Sequence, residues 1–266
     1  MSGRRVRWFR APFYSLRKRK KDLRLPSQEG LPPRVVLAAQ PKSGTYLYAE
    51  IVARLGFGFT YMHLGPDKMQ AYDKNMPRLS AENPRSFDCR IPLSESRRLV
   101  RTGELAASHL TPGEAEDLLL DFRIIAVNRE LRSGILSFVN FFKETGRGSR
   151  RVRERVKSHG VCGFMEERGE RYIRHALGIA SWGDRPQALV VKYEELHSDP
   201  EPQVERLAAF LGVEVNSPEG IYEAALEAST MTKSKSKYKT SWGGEEEEVF
   251  RRIGGVKANQ VMGYPE

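Results

Sequence analysis

The chain has 266 residues, 39% of them hydrophobic, with 44 Lys+Arg against 34 Asp+Glu and a formal net charge of +10. That apolar share excludes wholesale disorder, and the length suits one large α/β domain or two small ones. Two cysteines, Cys89 and Cys162, are too few for a disulfide framework or a cysteine-rich zinc site.

The charge is concentrated at one end. Residues 1–24 hold ten Lys/Arg and one Asp, a net +9, which leaves +1 for residues 25–266. Residues 1–30 are therefore expected to be a basic N-terminal tail and 31–266 a single domain, with Pro26, Gly30, Pro32 and Pro33 between them. The basic start lacks the apolar run of roughly 7–15 residues that a secretory signal needs. No window approaches the roughly 18 apolar residues of a membrane span. The body is expected to be cytoplasmic. The tail has two readings. One is a solvated charge run. In the other, Trp8, Phe9, Phe13, Tyr14 and Leu16 among the arginines make peripheral contact with the anionic inner face of a membrane. Such a mixture also suits RNA, but a body of net +1 argues against a nucleic-acid partner for the protein as a whole.

Arg34 to Ala39 is a short continuous apolar run, as expected for a strand buried on both faces. Gln40 to Gly44 is a turn, and Thr45 to Leu55 carries apolar residues at helical spacing with Gly56 as a stop. Glu104 to Ser108 is a further short strand candidate. Arg123 to Val127 is a buried-strand run leading through Asn128 and Arg129 into a helical stretch that reaches Phe142. Residues 143–159 are basic and poor in large apolar groups; together with 229–248 they are read as solvated surface or as a lid over a charged ligand. Ala188 to Val191 is another buried run, followed by a helix from Pro200 that ends at Gly212. Apolar runs alternating with amphipathic helices predict an α/β three-layer sandwich, a central parallel sheet flanked by helices.

Gln40-Pro-Lys-Ser-Gly-Thr45 joins a buried strand to a helix N-terminus, where backbone N–H groups and the helix dipole favour an anion. Lys42 adds a point charge. This is no Walker A loop, because the lysine precedes Gly44 instead of following the last glycine. His109 ends a strand candidate and precedes Thr111-Pro112, a position where α/β sheets bind ligands. His63, His159, His175 and His197 stand in no motif, and none makes a metal-ligand spacing with another. Phe138, Phe141 and Phe142 share one helical face and are expected to pack in the core.

Several segments together resemble the sulfotransferases that use 3′-phosphoadenosine 5′-phosphosulfate (PAPS). They are Pro41-Lys-Ser-Gly-Thr45, Ser108-His109-Leu110, Val127-Asn-Arg129 with Ser137, Val191-Lys-Tyr-Glu-Glu-Leu196 with Asp199-Pro200, and Phe250-Arg-Arg-Ile-Gly-Gly255 with Lys257 and Asn259. Their order matches the family's, over about residues 34 to 260. The resemblance implies a P-loop NTPase-like fold and an enzyme that moves sulfonate from PAPS to an acceptor hydroxyl or amine, releasing PAP without a metal. It implies His109 as the base and Lys42 as steadying the departing phosphate. Lys42, Ser43, Gly44, Thr45 and Tyr46 would hold the phosphosulfate, Arg129 and Ser137 the 3′-phosphate, and Tyr193 the adenine. Ser229 would be a looser nucleotide contact, and Arg251, Arg252 and Gly254 a second grip on the 3′-phosphate.

The sequence also departs from the family. Tyr46-Leu47 replaces a Thr-Trp pair, so the aromatic wall for adenine falls to Tyr46 or Trp242. Ala107 replaces a lysine, Glu130 and Ser133 replace an Asn and an Asp, and the C-terminal loop is one residue short and lacks its Trp. These differences suggest a divergent, bacterial branch.

Acceptor contacts are expected in 57–103 and 143–187, among Tyr61, Met62, His63, Tyr72, Phe87, Arg97, Arg98 and Trp182. The acceptor is expected to be a small molecule or glycan, with a carbohydrate or glycolipid favoured. The rivals are a P-loop kinase or NTP hydrolase and a basic nucleic-acid-binding protein.

Overall fold

The computed structural model describes residues 32–71, 88–146, 148–228 and 242–265. The basic tail, Tyr72, Phe87 and Ser229 lie outside them. Strand β1 (Arg34–Ala39) is the middle one of the five parallel strands in a seven-stranded sheet, with β2 (Gly58–Leu64), β3 (Met69–Ala71), β4 (Asp88–Cys89), β5 (Glu104–Ser108), β6 (Phe122–Asn128) and β7 (Ala188–Lys192) ordered β4-β3-β2-β5-β1-β6-β7. Strands β2, β5, β1, β6 and β7 run parallel. The expected central parallel sheet is present, and β3 and β4 extend it as an antiparallel edge.

The apolar runs bury both faces. Val35, Leu37 and Ala39 of β1, with Ile125 and Val127 of β6, point into a core shared with α1 (Thr45–Arg54). Val36, Ala38, Ile124 and Ala126 point the other way, toward Leu93, Leu119 and Trp182. Successive strand residues alternate sides, so a run with no polar member supplies two cores at once.

The helices α2 (Leu131–Thr145), α3 (Arg150–Phe164) and α4 (Glu170–Ala180) follow β6, with a π-helical turn, Met165–Gly169, between the last two. The segment read from sequence as a candidate lid is thus largely helix: α2 runs on to Thr145, and α3 begins at Arg150 under an N-cap from the Ser149 side chain to the Val152 amide (3.4 Å). Val152 and Val156, one turn apart, and Cys162 and Phe164 beyond a kink at Gly160 are the buried side chains of an otherwise basic helix. After β7 come α5 (Tyr193–Ser198), α6 (Pro200–Leu211) and α7 (Pro218–Leu226), then α8 (Gly244–Arg252) and α9 (Gly255–Val261). Among the described residues no helix is long and apolar enough to cross a membrane.

Candidate active site

Four adjacent parallel strands end side by side, and the residues just beyond them are the ones singled out from sequence. His109 follows β5, Gln40 to Thr45 follow β1, Arg129 follows β6, and Tyr193 follows β7. The register aligns the strand ends: Ala38 faces Ser108, Ala39 faces Val127, and Asn128 faces Lys192. Ligands in open α/β sheets bind at this edge.

The β1–α1 turn takes its shape from two left-handed residues, Lys42 at φ 71° and Gly44 at φ 84°. A left-handed conformation at a non-glycine residue costs free energy and persists only where the surroundings impose it. Here the Ser43 amide and hydroxyl both donate to the Gln40 carbonyl (3.1 and 2.6 Å), and the Arg129 guanidinium donates to the Lys42 carbonyl (2.8 Å). Gly44 begins α1 without a side-chain cap. A Cβ on Gly44 would lie 2.6 Å from the Tyr193 ring, so glycine is needed for space as well as for φ.

Gln40, fully buried, is the hub of this arrangement. Its amide N–H donates to the Val127 carbonyl (2.9 Å), its side-chain NH₂ to the Tyr172 hydroxyl (2.7 Å), and its side-chain oxygen accepts from the Arg129 amide (3.1 Å). Tyr172 in turn donates to the Pro41 carbonyl (3.1 Å). Arg129 is 7% exposed, stacks over the Tyr193 ring at 4.4 Å, and gives Nε–H to Ser133 (3.3 Å). Ser137 lies one turn beyond Ser133 on the same face of α2. Lys42 places its ammonium 4.6 Å above the Phe141 ring. Phe138 and Phe142 pack against Phe164, as the core reading expects.

The departures from the expected pattern have structural work of their own. Glu130 caps α2, accepting from the amides of Arg132 and Ser133 (3.0 and 2.8 Å) and from the Asn259 side chain (2.7 Å). A carboxylate is well placed at a helix N-terminus. Asn259 returns its oxygen to the Leu131 amide (3.0 Å), and Glu194 accepts from the Glu130 amide (3.2 Å) and from the Tyr264 hydroxyl (3.0 Å). Burial raises the Glu194 carboxyl above its usual value, opposed by these hydrogen bonds and by the Arg129 charge.

Among the described residues no carboxylate orients His109. Its Nδ1 lies 2.5 Å from the Ala39 carbonyl. A carbonyl oxygen only accepts, so Nδ1 carries the proton and the Nε2 lone pair is left available. His63 on β2 stands 4.4 Å from His109 between ring centroids, and His175 on α4 stands 6.2 Å away and donates Nε2–H to the His109 carbonyl (2.7 Å). A register shift between Phe59 and His63, with Tyr61 at φ 54°, turns His63 toward this cluster. Burial pushes His109 down to about 4, opposed by the bond to Ala39 and reinforced by the neighbouring His175. Burial, and then His109, hold His63 well below its usual value. Among the described residues no three His, Cys, Asp or Glu are grouped to hold a metal ion.

Other expected residues are placed elsewhere. Arg251 and Arg252, read as loop positions, close the last turn of α8; both are exposed, and their side chains have no hydrogen bond or ion pair among the described residues. Gly254 at φ 82° begins α9. The segment is tied to α2 through a two-pronged Arg132–Glu247 pair (2.8 and 3.0 Å), with Arg132 over Phe250 at 4.5 Å. Trp242 packs edge-on against Phe250 at 5.3 Å, as part of that same cluster. Trp182, counted among acceptor contacts, is fully buried and donates to the Leu110 carbonyl (2.9 Å), and Met62 is also core. Sequence reasoning missed Tyr172 and His175 as parts of the site, and it had Gln40 only as a turn residue and His63 only among the acceptor contacts; nothing in the sequence pointed to the Gln40–Tyr172 bond or to the packing of His63 on His109.

A family model described as the sulfotransferase domain matches residues 32–260. Human sulfotransferase 4A1 is 27% identical over 213 residues, covering 75% of this chain and 64% of the relative, so the chain spans less than two thirds of that relative's length. The crystal structure of mouse sulfotransferase SULT7A1 complexed with PAP superposes with a TM-score of 0.60 at 16% identity, covering 88% of this chain and 90% of the other. Retinol dehydratase in complex with androsterone and inactive cofactor PAP gives 0.53 at 16% identity, over 93% and 84%. At such identities the two structures speak for the fold alone.

Proposed function

Because this chain belongs to the sulfotransferase domain family, we propose that it transfers the sulfonate group of PAPS to an acceptor hydroxyl or amine, on a carbohydrate or glycolipid, and releases PAP. The observation that carries the reading is the His109 Nδ1 bond to the carbonyl of Ala39, the residue that leads into the anion-suited turn. It ties a neutral imidazole, its Nε2 lone pair available, to the same strand that presents Lys42.

The fit of the donor rests on the turn. The two left-handed residues, the uncapped start of α1 and the lysine form a concave cationic cradle. PAPS supplies a sulfonate on a phosphate leaving group. Lys42, Ser43, Gly44, Thr45 and Tyr46 hold the phosphosulfate end. Arg129, with Ser137 on the adjacent face, holds the 3′-phosphate, and Tyr193 lies against adenine. Arg251, Arg252 and Gly254 are a second grip on the 3′-phosphate, and Ser229 a looser nucleotide contact. His109 Nε2 takes the acceptor proton as the acceptor oxygen or nitrogen bonds to sulfur; the bond from sulfur to the phosphate oxygen breaks, and the electron pair leaves with PAP. Lys42 and the first-turn amides stabilise the charge that gathers on that oxygen. The neutrality of His109 favours its role as base, because an imidazole already protonated could not accept.

Residues 31–266 are proposed as one catalytic domain. For residues 1–24, contact with anionic membrane is tested by flotation with anionic liposomes, where equal behaviour of full-length and tail-deleted protein removes the idea. For the activity itself, thermal shift with adenosine 3′,5′-bisphosphate and with ATP is decisive. Stabilisation by the bisphosphate without Mg²⁺ is expected; a preference for Mg²⁺–ATP favours a phosphotransferase instead.

A further inference from the structure

Helix α3 carries a row of cations with unequal company. Arg150 pairs with Glu154, Arg151 with Glu167, and Arg155 with Glu166. Arg153 and Lys157, four residues apart and so on one face, have no carboxylate partner among the described residues, and neither has Lys143 at the end of α2. These three line one cavity of about 360 Å³, together with Phe142, Gly146 and Val156. Arg153 spends one N–H on the Gly146 carbonyl (2.9 Å), which fixes the guanidinium at the rim and leaves its remaining donors outside that bond.

The ordinary account of Lys143 is that a cation in the last turn of a helix offsets the carbonyl end of its dipole. That account extends to Lys157, in the last turn before Gly160 (φ 55°) breaks α3, but not to Arg153, which lies near the start of the helix. Like charges gathered around one concavity repel one another, and an anion in the cavity relieves the repulsion. The cavity also has an apolar side, Phe142 and Val156, against which a ring can lie. Its volume is at the small end of ligand pockets, enough for about one sugar-sized unit. A single-stranded nucleic acid needs a groove for several nucleotides, roughly 4–16, and a membrane surface needs a flat face.

The cavity is linked to the β1–α1 turn through two rings 6.1 Å apart, Phe141 and Phe142. Phe141 carries the Lys42 ammonium on its ring, and the next residue, Phe142, lines the cavity. Resting on the sulfonate-transfer reading above, we propose that Lys143, Arg153 and Lys157 form an acceptor subsite for an anionic sugar, a uronic acid or already sulfated unit next to the one that receives the new group. The acceptor is then a charged oligosaccharide.

Titration calorimetry of the full chain with tetragalacturonate, and with uncharged maltotetraose at the same ionic strength, tests this. The acidic tetramer is expected to bind and the neutral one to bind at least about tenfold more weakly, the scale of a lost charge-assisted contact. Arg153→Ala/Lys157→Ala should weaken tetragalacturonate by about tenfold or more. Lys18→Ala/Arg19→Ala/Lys20→Ala, in the basic tail, should leave it unchanged. Equal affinity for the two sugars, an unaltered double variant, loss in the tail variant instead, or tighter binding of a short oligodeoxynucleotide through the same residues would each overturn the subsite. Thermal stabilisation by adenosine 3′,5′-bisphosphate is measured on the same proteins. If it persists while the sugar fails, the subsite is wrong and the transferase reading stands; if the nucleotide alone fails, the transferase reading is wrong and the cavity keeps its anionic sugar without the acceptor role.

Discussion

The two ends of α2 are built on opposite principles. At its N-terminus, Arg129, Glu130 and Leu131 are held by Gln40, Asn259 and Glu194, and their hydrogen bonds reach into β1, α5 and α9. At its C-terminus, Lys143 and Gly146 border an open cavity whose cations are held by little beyond one Arg153 bond. The first end has one geometry available to it, because leaving any buried polar member unpaired costs free energy. The second can accommodate ligands of different shape. On the proposed transfer reading, this division gives positional precision at the end that would hold the donor and adaptability at the other.

Substitutions at the two ends should therefore differ in kind as well as in size. The largest effect is expected from His109→Ala, which should lower turnover by roughly 10²–10⁴-fold while PAP still binds, as measured by steady-state rates beside calorimetry. Lost binding with intact residual chemistry contradicts the assignment. Arg129→Ala should weaken PAP by roughly 10–100-fold, from the loss of a charged contact. It should weaken ADP less, since Arg129 also props the Lys42 carbonyl. Equal losses for both nucleotides would leave Arg129 only the propping role.

Gly44→Ala drives a Cβ into Tyr193 at φ 84°. A cost of about 1–3 kcal/mol is expected, or a fall in Tm of roughly 3–10 °C in a calorimetric scan. An unchanged Tm would mean that the buried end is less rigid than its bonds suggest. Acid should act on the same end. His109 is held near 4 in the fold, against about 6.5 in the unfolded chain, so the unfolded state takes up more protons below 6.5. Stability should decline as pH falls from about 6.5 to about 4 and be insensitive to this group above that window. His109→Ala should flatten the decline, and an unaltered slope would assign it to other groups. The smallest effect belongs to the open end: Arg153→Ala should change stability by no more than about 0.5 kcal/mol in urea titration. A larger loss would show that α3 depends on that residue.

What was legible in the sequence follows the same division. Strands β1, β5, β6 and β7 stood out because strands buried on both faces have few polar residues. Strands β2 to β4 did not, since β2 is interrupted by a register shift and the other two are very short. The α3 segment was read only as solvated loop or helix surface, or as a lid, because two valines hardly mark a periodicity. His109, Lys42 and Arg129 could be found because each lies just beyond a strand, whereas Tyr193 was legible only through the family resemblance. The bonds between Gln40 and Tyr172 and between Glu130 and Asn259 could not be found, because the partners lie 132 and 129 residues apart. Nothing local in a glutamine at a strand end announces a tyrosine so far along the chain.

The central place of β1 has a consequence for synthesis. It is the first strand made, yet both its neighbours, β5 and β6, come much later, ending at Ser108 and Asn128. At roughly 5–20 residues per second, an emerging β1 waits on the order of 4–18 s for its second partner, with the apolar run from Val35 to Ala39 exposed on both edges. During that interval the nascent chain is a target for chaperones and for stray strand pairing, and the turn that would receive PAPS has no fixed form until the ribosome is well past the middle of the message.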